Sequence, residues 1–261
     1  MALTDKTIAS TYGDILQTEN NGSGRSTNGT VIKDGLGQST ALTLGSNKIK
    51  ITPLSDSTTT LTIENAGGTD LLVVDSTNTS IKIGTTQSYA NTQIKEFGVF
   101  DMSPSDGVHY PMVSMTGLDA VSNTDWTPPA DFGTGTDPAT SLSLSSGAEN
   151  FVPVLWYIPT AITIDEVRVI GSTDAADALN FHLYSYAMGT GSGTGAGDLS
   201  DGTLLAHNGS LYATGDDRIT STTLTIDSAN VAADRVVLAF VENDGDTNDI
   251  TAQLIVKYHY Q

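Results

Sequence analysis

The chain of 261 residues contains no cysteine, which excludes disulfides, thiolate chemistry and cysteine-based zinc sites. It is also poor in cations, because 11 Lys and Arg stand against 30 Asp and Glu, a formal net charge of −19. Such a charge repels a phosphate backbone and an anionic lipid surface, so we expect neither nucleic acid nor a membrane as a partner. No apolar run approaches the roughly 18 residues that a spanning helix requires.

Glycine and small polar residues are abundant instead. The 26 glycines lie among many Thr, Ser, Asn and Asp residues, a composition typical of short strands joined by tight turns. We therefore predict an all-β protein with four segments. These are an anchoring segment (1–24), a small β-meander domain (25–95), a proline-containing connector (96–148) and a C-terminal β-sandwich (149–261).

The meander domain is predicted to have short strands at a spacing of about ten residues, at 48–52, 60–64, 71–75 and 80–83. Apolar and polar residues alternate, as at Leu61 and Ile63 or at Ile81 and Ile83, so each strand has one apolar face. A small one-sided sheet makes a poor monomer, whereas three copies around a threefold axis bury those faces. We therefore predict a homotrimer.

The C-terminal segment has seven predicted strands, the number typical of a β-sandwich, at 151–159, 161–170, 178–188, 202–206, 221–226, 235–242 and 250–260. Apolar residues alternate from Ile250 to Tyr258, which predicts one covered face in the last strand. The acidic loop 243–249 before that strand is interpreted as a hairpin turn. In the connector, Met112 and Phe132 are among the apolar residues that need cover from the following domain.

The opening segment is polar but patterned. Ile8, Tyr12, Ile15 and Leu16 have the spacing of one face of a short helix, although Gly13 weakens a helix by about 1 kcal/mol. The segment lacks the continuous apolar core of a secretory signal. We predict that it is an anchor, ordered by docking to a neighbouring chain.

Three stretches of the first third of the chain are similar to known sequences. Residues 6–17 (KTIASTYGDILQ), 31–44 (VIKDGLGQSTALTL) and 60–75 (TLTIENAGGTDLLVVD), followed by IKIG at 81–84, resemble the N-terminal region of tailed-bacteriophage virion proteins. The family comprises head-decoration, head-fibre and tail-fibre proteins of aquatic phages, including cyanophages. The closing strands also resemble the jelly-roll heads of phage fibres and decoration proteins.

This resemblance implies an externally mounted, usually trimeric virion protein without a catalytic motif. The short, bipartite chain favours a capsid decoration (cement) or head-fibre protein on the outer capsid surface, where its N-terminal segment contacts the major capsid protein or another virion component. The alternative is a tail fibre or adhesin whose C-terminal domain binds a host-surface glycan. Tyr184, Tyr186 and Tyr212 are the candidate glycan-facing aromatics, and packing is the competing interpretation of their role.

The sequence contains no recognisable catalytic, cofactor or metal motif. The four histidines, His109, His182, His207 and His259, are dispersed without metal-ligand spacing, so we interpret them as structural or exposed. The glycine-rich loop 189–197 lacks the Lys-Ser/Thr pair of a phosphate cradle. The loop 243–249 lacks the Gly and Glu that an EF-hand requires. We therefore expect a non-enzymatic protein with no catalytic residue, cofactor or metal.

Overall fold

A computed structural model of the chain describes residues 17–18, 27–84, 88–114, 131–143, 148–175, 178–191, 194–208, 212–213, 218–244 and 249–261. The predicted anchoring residues Ile8, Tyr12, Ile15 and Leu16 lie outside these ranges. The described chain is all-β with several antiparallel sheets, which confirms the predicted class. It divides into two compact units, Met1–Ala90 and Asn91–Gln261. None of the helices in the described ranges is long and apolar enough to span a bilayer.

The N-terminal unit contains two four-stranded antiparallel meanders with the strand orders β1-β2-β3-β4 and β5-β6-β7-β8. The predicted strands at 48–52, 60–64, 71–75 and 80–83 correspond to β4 to β7 and are confirmed. The bounds are β1 Gln17–Thr18, β2 Thr30–Lys33, β3 Ser39–Leu44, β4 Ile49–Ile51, β5 Leu61–Glu64, β6 Asp70–Asp75, β7 Ser80–Ile83 and β8 Ser88–Tyr89.

Side-chain oxygens hold the tight turns of these meanders. Between β5 and β6, Asn65 Oδ1 accepts hydrogen bonds from the backbone N–H groups of Gly67 at 2.9 Å and Thr69 at 3.0 Å. Gly68 in the same turn has φ +77°, a conformation that glycine adopts without steric cost. Between β2 and β3, Asp34 Oδ1 likewise accepts hydrogen bonds from the backbone N–H groups of Leu36 and Gln38. These Asx turns explain why Asn, Asp and Gly recur between the strands.

The C-terminal unit consists of two antiparallel sheets, one of seven strands (β10, β11, β13, β14, β15, β17 and β19) and one of five (β9, β12, β16, β18 and β20). The bounds are β9 Thr92–Met102, β10 Tyr110–Pro111, a 3-10 helix Ala148–Val154, β11 Trp156–Ile158, β12 Ile162–Thr173, β13 Ala178–Met188, β14 Leu199–His207, β15 Tyr212–Ala213, β16 Thr220–Thr223, β17 Thr225–Ile226, β18 Asn230–Val231, β19 Arg235–Asn243 and β20 Ile250–Tyr260.

The two sheets pack face to face around one core. Phe97 and Val167 of the five-stranded sheet and Phe181 and Val237 of the seven-stranded sheet belong to the same buried cluster. In β20, the alternating residues predicted to be covered are buried, and all of them belong to this cluster: Ile250, Ala252, Leu254, Val256 and Tyr258. The predicted covered face of the last strand is therefore confirmed.

The outer face of the seven-stranded sheet, turned away from this core, is covered as well. A second buried cluster joins Tyr184, Tyr186 and Phe240 of the sheet to Phe132 and Phe151, which lie in the segment 131–143 and in the 3-10 helix. This covering layer explains why eight of the nine residues of β19 are buried. A strand that is buried on both faces reads as a continuous apolar run.

Glycine at position 202 allows the segment 131–143, which covers the outer face, to approach the seven-stranded sheet. The Gly202 N–H donates to the Thr140 carbonyl at 2.9 Å, and a Cβ at this position would lie 2.7 Å from both Thr140 Cα and Tyr186 Cε1. A side chain there would therefore clash with backbone as well as with a buried ring.

The interpretation of 96–148 as a connector is wrong for its described part. Residues 92–102 form a long strand that pairs with β20 over nine register positions, so the second unit begins at Asn91 rather than at 149. Met112 and Phe132 are fully buried in this unit, as their apolar character predicted. The described prolines of this segment, Pro104, Pro111 and Pro138, are themselves buried, and Pro111 lies in β10, so they do not separate the segment from the core.

Two further expectations need correction. The loop 243–249 is not a hairpin turn, because β19 and β20, the strands before and after it, belong to different sheets. Residues 151–154 are part of a 3-10 helix, so only 156–158 of the predicted strand 151–159 are extended. Pro153 lies within this helix, and proline lacks the N–H that a central strand requires.

Replacing Phe132 by alanine tests the covering layer. Its ring lies 4.6 Å from the ring of Phe240 and 5.7 Å from that of Tyr186, so we expect the free energy of unfolding to fall by about 3–5 kcal/mol. Urea denaturation followed by near-UV circular dichroism measures this loss. Phe100→Ala is the matched control, because Phe100 is 59% exposed and should lose about 0.5 kcal/mol or less. Equal losses in the two variants would contradict the covering role.

Candidate functional site

The sheet β5–β8 presents an aliphatic face. In the pairing of β5, β6 and β7, Val74 lies opposite Leu61 on one side and Ile81 on the other. Leu72 lies in the same way between Ile63 and Ile83. Because directly opposite residues share a face, all six side chains lie on one side of the sheet. We call this set the aliphatic face: Leu61, Ile63, Leu72, Val74, Ile81 and Ile83. Ile63, Ile81 and Ile83 are each 47–50% exposed, so much of this apolar surface is open.

The N-terminal unit has little core of its own. Within its described residues, Ile32 and Val73 are the only buried apolar side chains, and neither belongs to the two core clusters, which lie entirely in the C-terminal unit. The sheet β1–β4 is also open, with Ile49 72% exposed. Soluble monomers rarely expose large contiguous apolar patches, and such patches mark interaction surfaces.

A cluster of three histidines lies on the outer face of the seven-stranded sheet. His182 of β13 is directly opposite His207 of β14, and their ring centroids are 6.2 Å apart. His109, just before β10, packs edge-on against His182 with the ring centroids 5.1 Å apart. His109 and His182 are 0% and 4% exposed, respectively. We call these three residues the histidine cluster.

The covering segment 131–143 holds the two buried rings. His109 Nε2 lies 2.8 Å from the carbonyl oxygen of Gly135, and His182 Nε2 faces Asp137 Oδ1 at 3.6 Å. Since a carbonyl oxygen only accepts hydrogen bonds, Nε2 carries the proton in the neutral form of His109. The separation of 3.6 Å at His182 is longer than a hydrogen bond, but a carboxylate at this distance favours a proton on the facing Nε2. Nδ1 of His109 is then an unprotonated lone-pair donor, and the same tautomer is favoured for His182.

His207 is held by a carboxylate. Its Nδ1 lies 2.7 Å from Asp227 Oδ2, and its side chain is 31% exposed. The proton therefore lies on Nδ1 in the neutral ring, and Nε2 is free to accept a hydrogen bond or to bind an ion. His109 and His207 thus share one arrangement, in which one nitrogen is fixed by an oxygen and the other carries a lone pair.

Burial keeps His182 uncharged at neutral pH. Desolvation, followed by the neighbouring imidazoles of His109 and His207, lowers the pKa of His182 to about 3. Beside it, burial raises the pKa of Tyr184 to about 12, with contributions from the charges of Asp137 and Asp227 and from a hydrogen bond to Asp137. At pH 7 the site therefore combines a neutral imidazole and a neutral phenol with two carboxylates.

Two buried nitrogen atoms of the cluster have no partner. Within the described residues, Nδ1 of His109 and Nδ1 of His182 are both buried without a hydrogen bond. Buried polar atoms are nearly always hydrogen-bonded, because an unmade bond costs about 1–3 kcal/mol. No group of three His, Asp or Glu side chains in the described ranges is arranged to hold a metal ion as it stands.

The interpretation of the four histidines as structural or exposed did not include the proximity of three of them. Strand pairing brings together His109, His182 and His207, and two of them carry unsatisfied atoms. His259 conforms to the expectation, because its Nδ1 lies 2.9 Å from Asp165 Oδ1 on the five-stranded sheet.

The aromatic residues predicted to face a glycan are largely inaccessible. Tyr186 is fully buried and Tyr184 is 4% exposed, and both pack in the outer cluster with Phe240. Neither ring can stack on a sugar, so packing accounts for both. Tyr212 lies in β15, which pairs with β13, and its side chain is outside the described residues.

Comparisons with known proteins reveal no family. No family model matches the chain, and no curated protein matches it. An α-amino acid ester hydrolase labelled with selenomethionine has a TM-score of 0.28 and 9% identity over 66% of this chain, which spans about a third (33%) of that structure. The structure of the infectious bursal disease virus Gx strain has a TM-score of 0.16 and 10% identity, covering 74% of this chain and 72% of that one. Likenesses this weak carry no argument about fold or function.

Proposed function

We propose that this chain is a non-enzymatic, homotrimeric structural protein of a bacteriophage virion, of the capsid decoration (cement) or head-fibre type. The observation that carries the proposal is the partly exposed aliphatic face on an N-terminal unit whose described residues include almost no core. The similarity of residues 6–17, 31–44 and 60–75 to the N-terminal region of phage virion proteins supports it, as does the two-unit, all-β organisation.

Association of copies supplies the burial that the N-terminal unit lacks. A sheet whose apolar side is open to water gains stability when the same face of another copy covers it, since burial contributes about 25 cal/mol per Å² of apolar surface. All six residues of the aliphatic face are uncharged, so strongly anionic chains can meet there without placing like charges in contact. We propose that three copies meet in this way, with their C-terminal sandwiches displayed distally.

Attachment to the shell follows from multivalency. Each copy contributes residues 1–24 as an anchor to the major capsid protein or another virion component, and a trimer engages up to three anchors at once. Linked binding events raise the overall affinity by about 10²–10⁴ over a single contact when geometry permits. A protein that binds only the assembled shell also stabilises it by mass action.

Deleting residues 1–24 tests the attachment step. The truncated protein is expected to remain trimeric but to lose binding to undecorated capsids, measured by co-sedimentation. Because the deletion removes the short strand β1, the double substitution Ile8→Ser/Ile15→Ser provides a second variant that leaves β1 in place. A chain with residues 1–16 in scrambled order is the length-matched control and should also fail to bind. Normal decoration by the truncated trimer would show that the anchor is elsewhere.

A further inference from the structure

We propose that His109 and His182 bind a divalent transition-metal ion such as Zn²⁺ through their Nδ1 atoms, with His207 as the third protein ligand. This inference is independent of the virion role, because it concerns only the C-terminal unit. Its starting point is the pair of buried Nδ1 atoms that lack a partner within the described residues. A buried lone pair without a donor indicates a missing ion or water.

The other nitrogen of each ring is held as in known metal sites. Metal-binding histidines almost always donate their second N–H to a carboxylate or backbone carbonyl, which fixes the ring and its tautomer. His109 Nε2 meets the Gly135 carbonyl, and His182 Nε2 faces Asp137. The lone pair of His109 is thereby fixed on Nδ1, and the negative charge of Asp137 favours the same tautomer in His182. In both rings Nδ1 is the atom left without a partner.

The distance between the two rings suits a shared ion. Zn–N bonds are about 2.0–2.1 Å, so two imidazoles on one tetrahedral ion have ring centroids roughly 5 Å apart. The centroids of His109 and His182 are 5.1 Å apart. The separation of these two buried rings is therefore compatible with a shared ion.

His207 completes the ligand set from the solvent side. Its Asp227 partner leaves Nε2 as the lone-pair nitrogen, and its position opposite His182 keeps the two rings adjacent. The three residues do not form a ready triad, so His207 must turn toward the other two rings. Its partial exposure allows this movement.

The electrostatics of the cluster favour a divalent cation over a bound water alone. Asp137 and Asp227 bring two negative charges beside the imidazoles, which balance the charge of the ion. Imidazole ligands select Zn²⁺, Cu²⁺ or Ni²⁺, whereas Ca²⁺ and Mg²⁺ prefer oxygen.

Titration of the intact, chelator-treated protein with Co²⁺ and then Zn²⁺ tests the proposal. We expect one Co²⁺ per chain with visible absorption typical of nitrogen ligands, displacement by Zn²⁺, and a Tm increase of about 5–10 °C at Zn²⁺ concentrations near 100 Kd. Absence of binding at micromolar Co²⁺, with no change in Tm, would overturn the proposal and leave a buried water as the partner of the two Nδ1 atoms.

Variants locate the ion. His182→Asn and His109→Gln are expected to abolish Co²⁺ binding, and Asp137→Asn should weaken it by about 10–100-fold through loss of the outer contact. If a substitution at one of the two buried histidines prevents folding, the partly exposed His207 provides the test. His207→Gln is expected to lower the affinity for Co²⁺ by at least about tenfold. His259→Gln is the matched control and should bind as the wild type does. Binding that survives in the His182 and His207 variants would place the ion elsewhere and refute the assignment.

Discussion

The double substitution Ile63→Asp/Ile83→Asp is expected to convert the proposed trimer to monomers. The two residues belong to the aliphatic face and are each about half exposed, so association buries them. An unpaired carboxylate in an apolar interface is strongly unfavourable. Light scattering coupled to size-exclusion chromatography should give three times the chain mass of 27.2 kDa for the wild type and the single-chain mass for the variant.

A control on the same strand separates the interface from a general effect of added charge. Thr62→Asp adds one carboxylate on the opposite side of β5, because neighbouring residues of a strand point to opposite faces. This variant should remain trimeric. A monomeric wild type would contradict the proposed assembly, and a double variant that stays trimeric would show that the copies meet through another surface.

Alkaline pH is expected to destabilise the C-terminal unit steeply between pH 10 and about 12. Burial raises the pKa of Tyr258 to about 12, with a further contribution from the hydrogen bond to Tyr260, and it raises the pKa of Tyr184 to about 12 and that of Tyr186 still more. Above the ordinary pKa of 10.0 these tyrosines ionise in the unfolded chain but not in the folded one. Since the unfolded state then binds fewer protons, stability falls as the pH rises.

The expected loss of stability at alkaline pH is large because several tyrosines contribute to it. Each tyrosine that stays protonated only in the folded state contributes a slope of up to about 1.4 kcal/mol per pH unit. Spectrophotometric titration of tyrosinate should resolve the buried tyrosines as a late fraction of the nine, and Tyr258→Phe should reduce both that fraction and the slope of stability against pH. Titration of all nine tyrosines near pH 10 in the native protein would contradict the burial of these side chains.

Alternation made several elements predictable. The pattern from Ile250 to Tyr258 has a period of two residues, and one face of β20 is buried as that period requires. Four of the strands of the N-terminal unit, β4 to β7, were also predicted, because Asn, Asp and Gly mark the turns between them, whereas β1, β2, β3 and β8 were not. In these strands the sequence pattern agrees with the burial in the folded protein, so the pattern alone was sufficient to predict where the strand lies.

The sheet to which a strand belongs was harder to predict. Loop 243–249 has the composition of a hairpin turn, but β19 and β20 belong to different sheets. A signal was present, because β19 is apolar on both faces whereas β20 alternates. Strands with such different patterns face different surroundings. The covering layer that causes this difference comes from a proline-containing segment, in which sequence indicates loops and does not indicate burial.

The histidine cluster could not be predicted, because its formation depends on the register between strands, which the sequence does not reveal. If the pairing of Met188 with Leu199 continued without interruption, His182 would lie opposite Leu205. Two register shifts along β13 and β14 place it opposite His207 instead. His109 joins them from a distant part of the chain through the pairing of β10 with β19. β-Bulges re-aim side chains in this way, so wide sequence spacing was a poor guide to whether these histidines meet.

The copy number of this chain relative to the major capsid protein in purified particles is the most direct test of its proposed place in the virion. Quantitative mass spectrometry of intact particles supplies the ratio. For a capsid decoration protein we predict a ratio within severalfold of unity. A ratio far below that value would indicate a fibre at a vertex or on the tail, and absence from purified particles would contradict the structural role altogether.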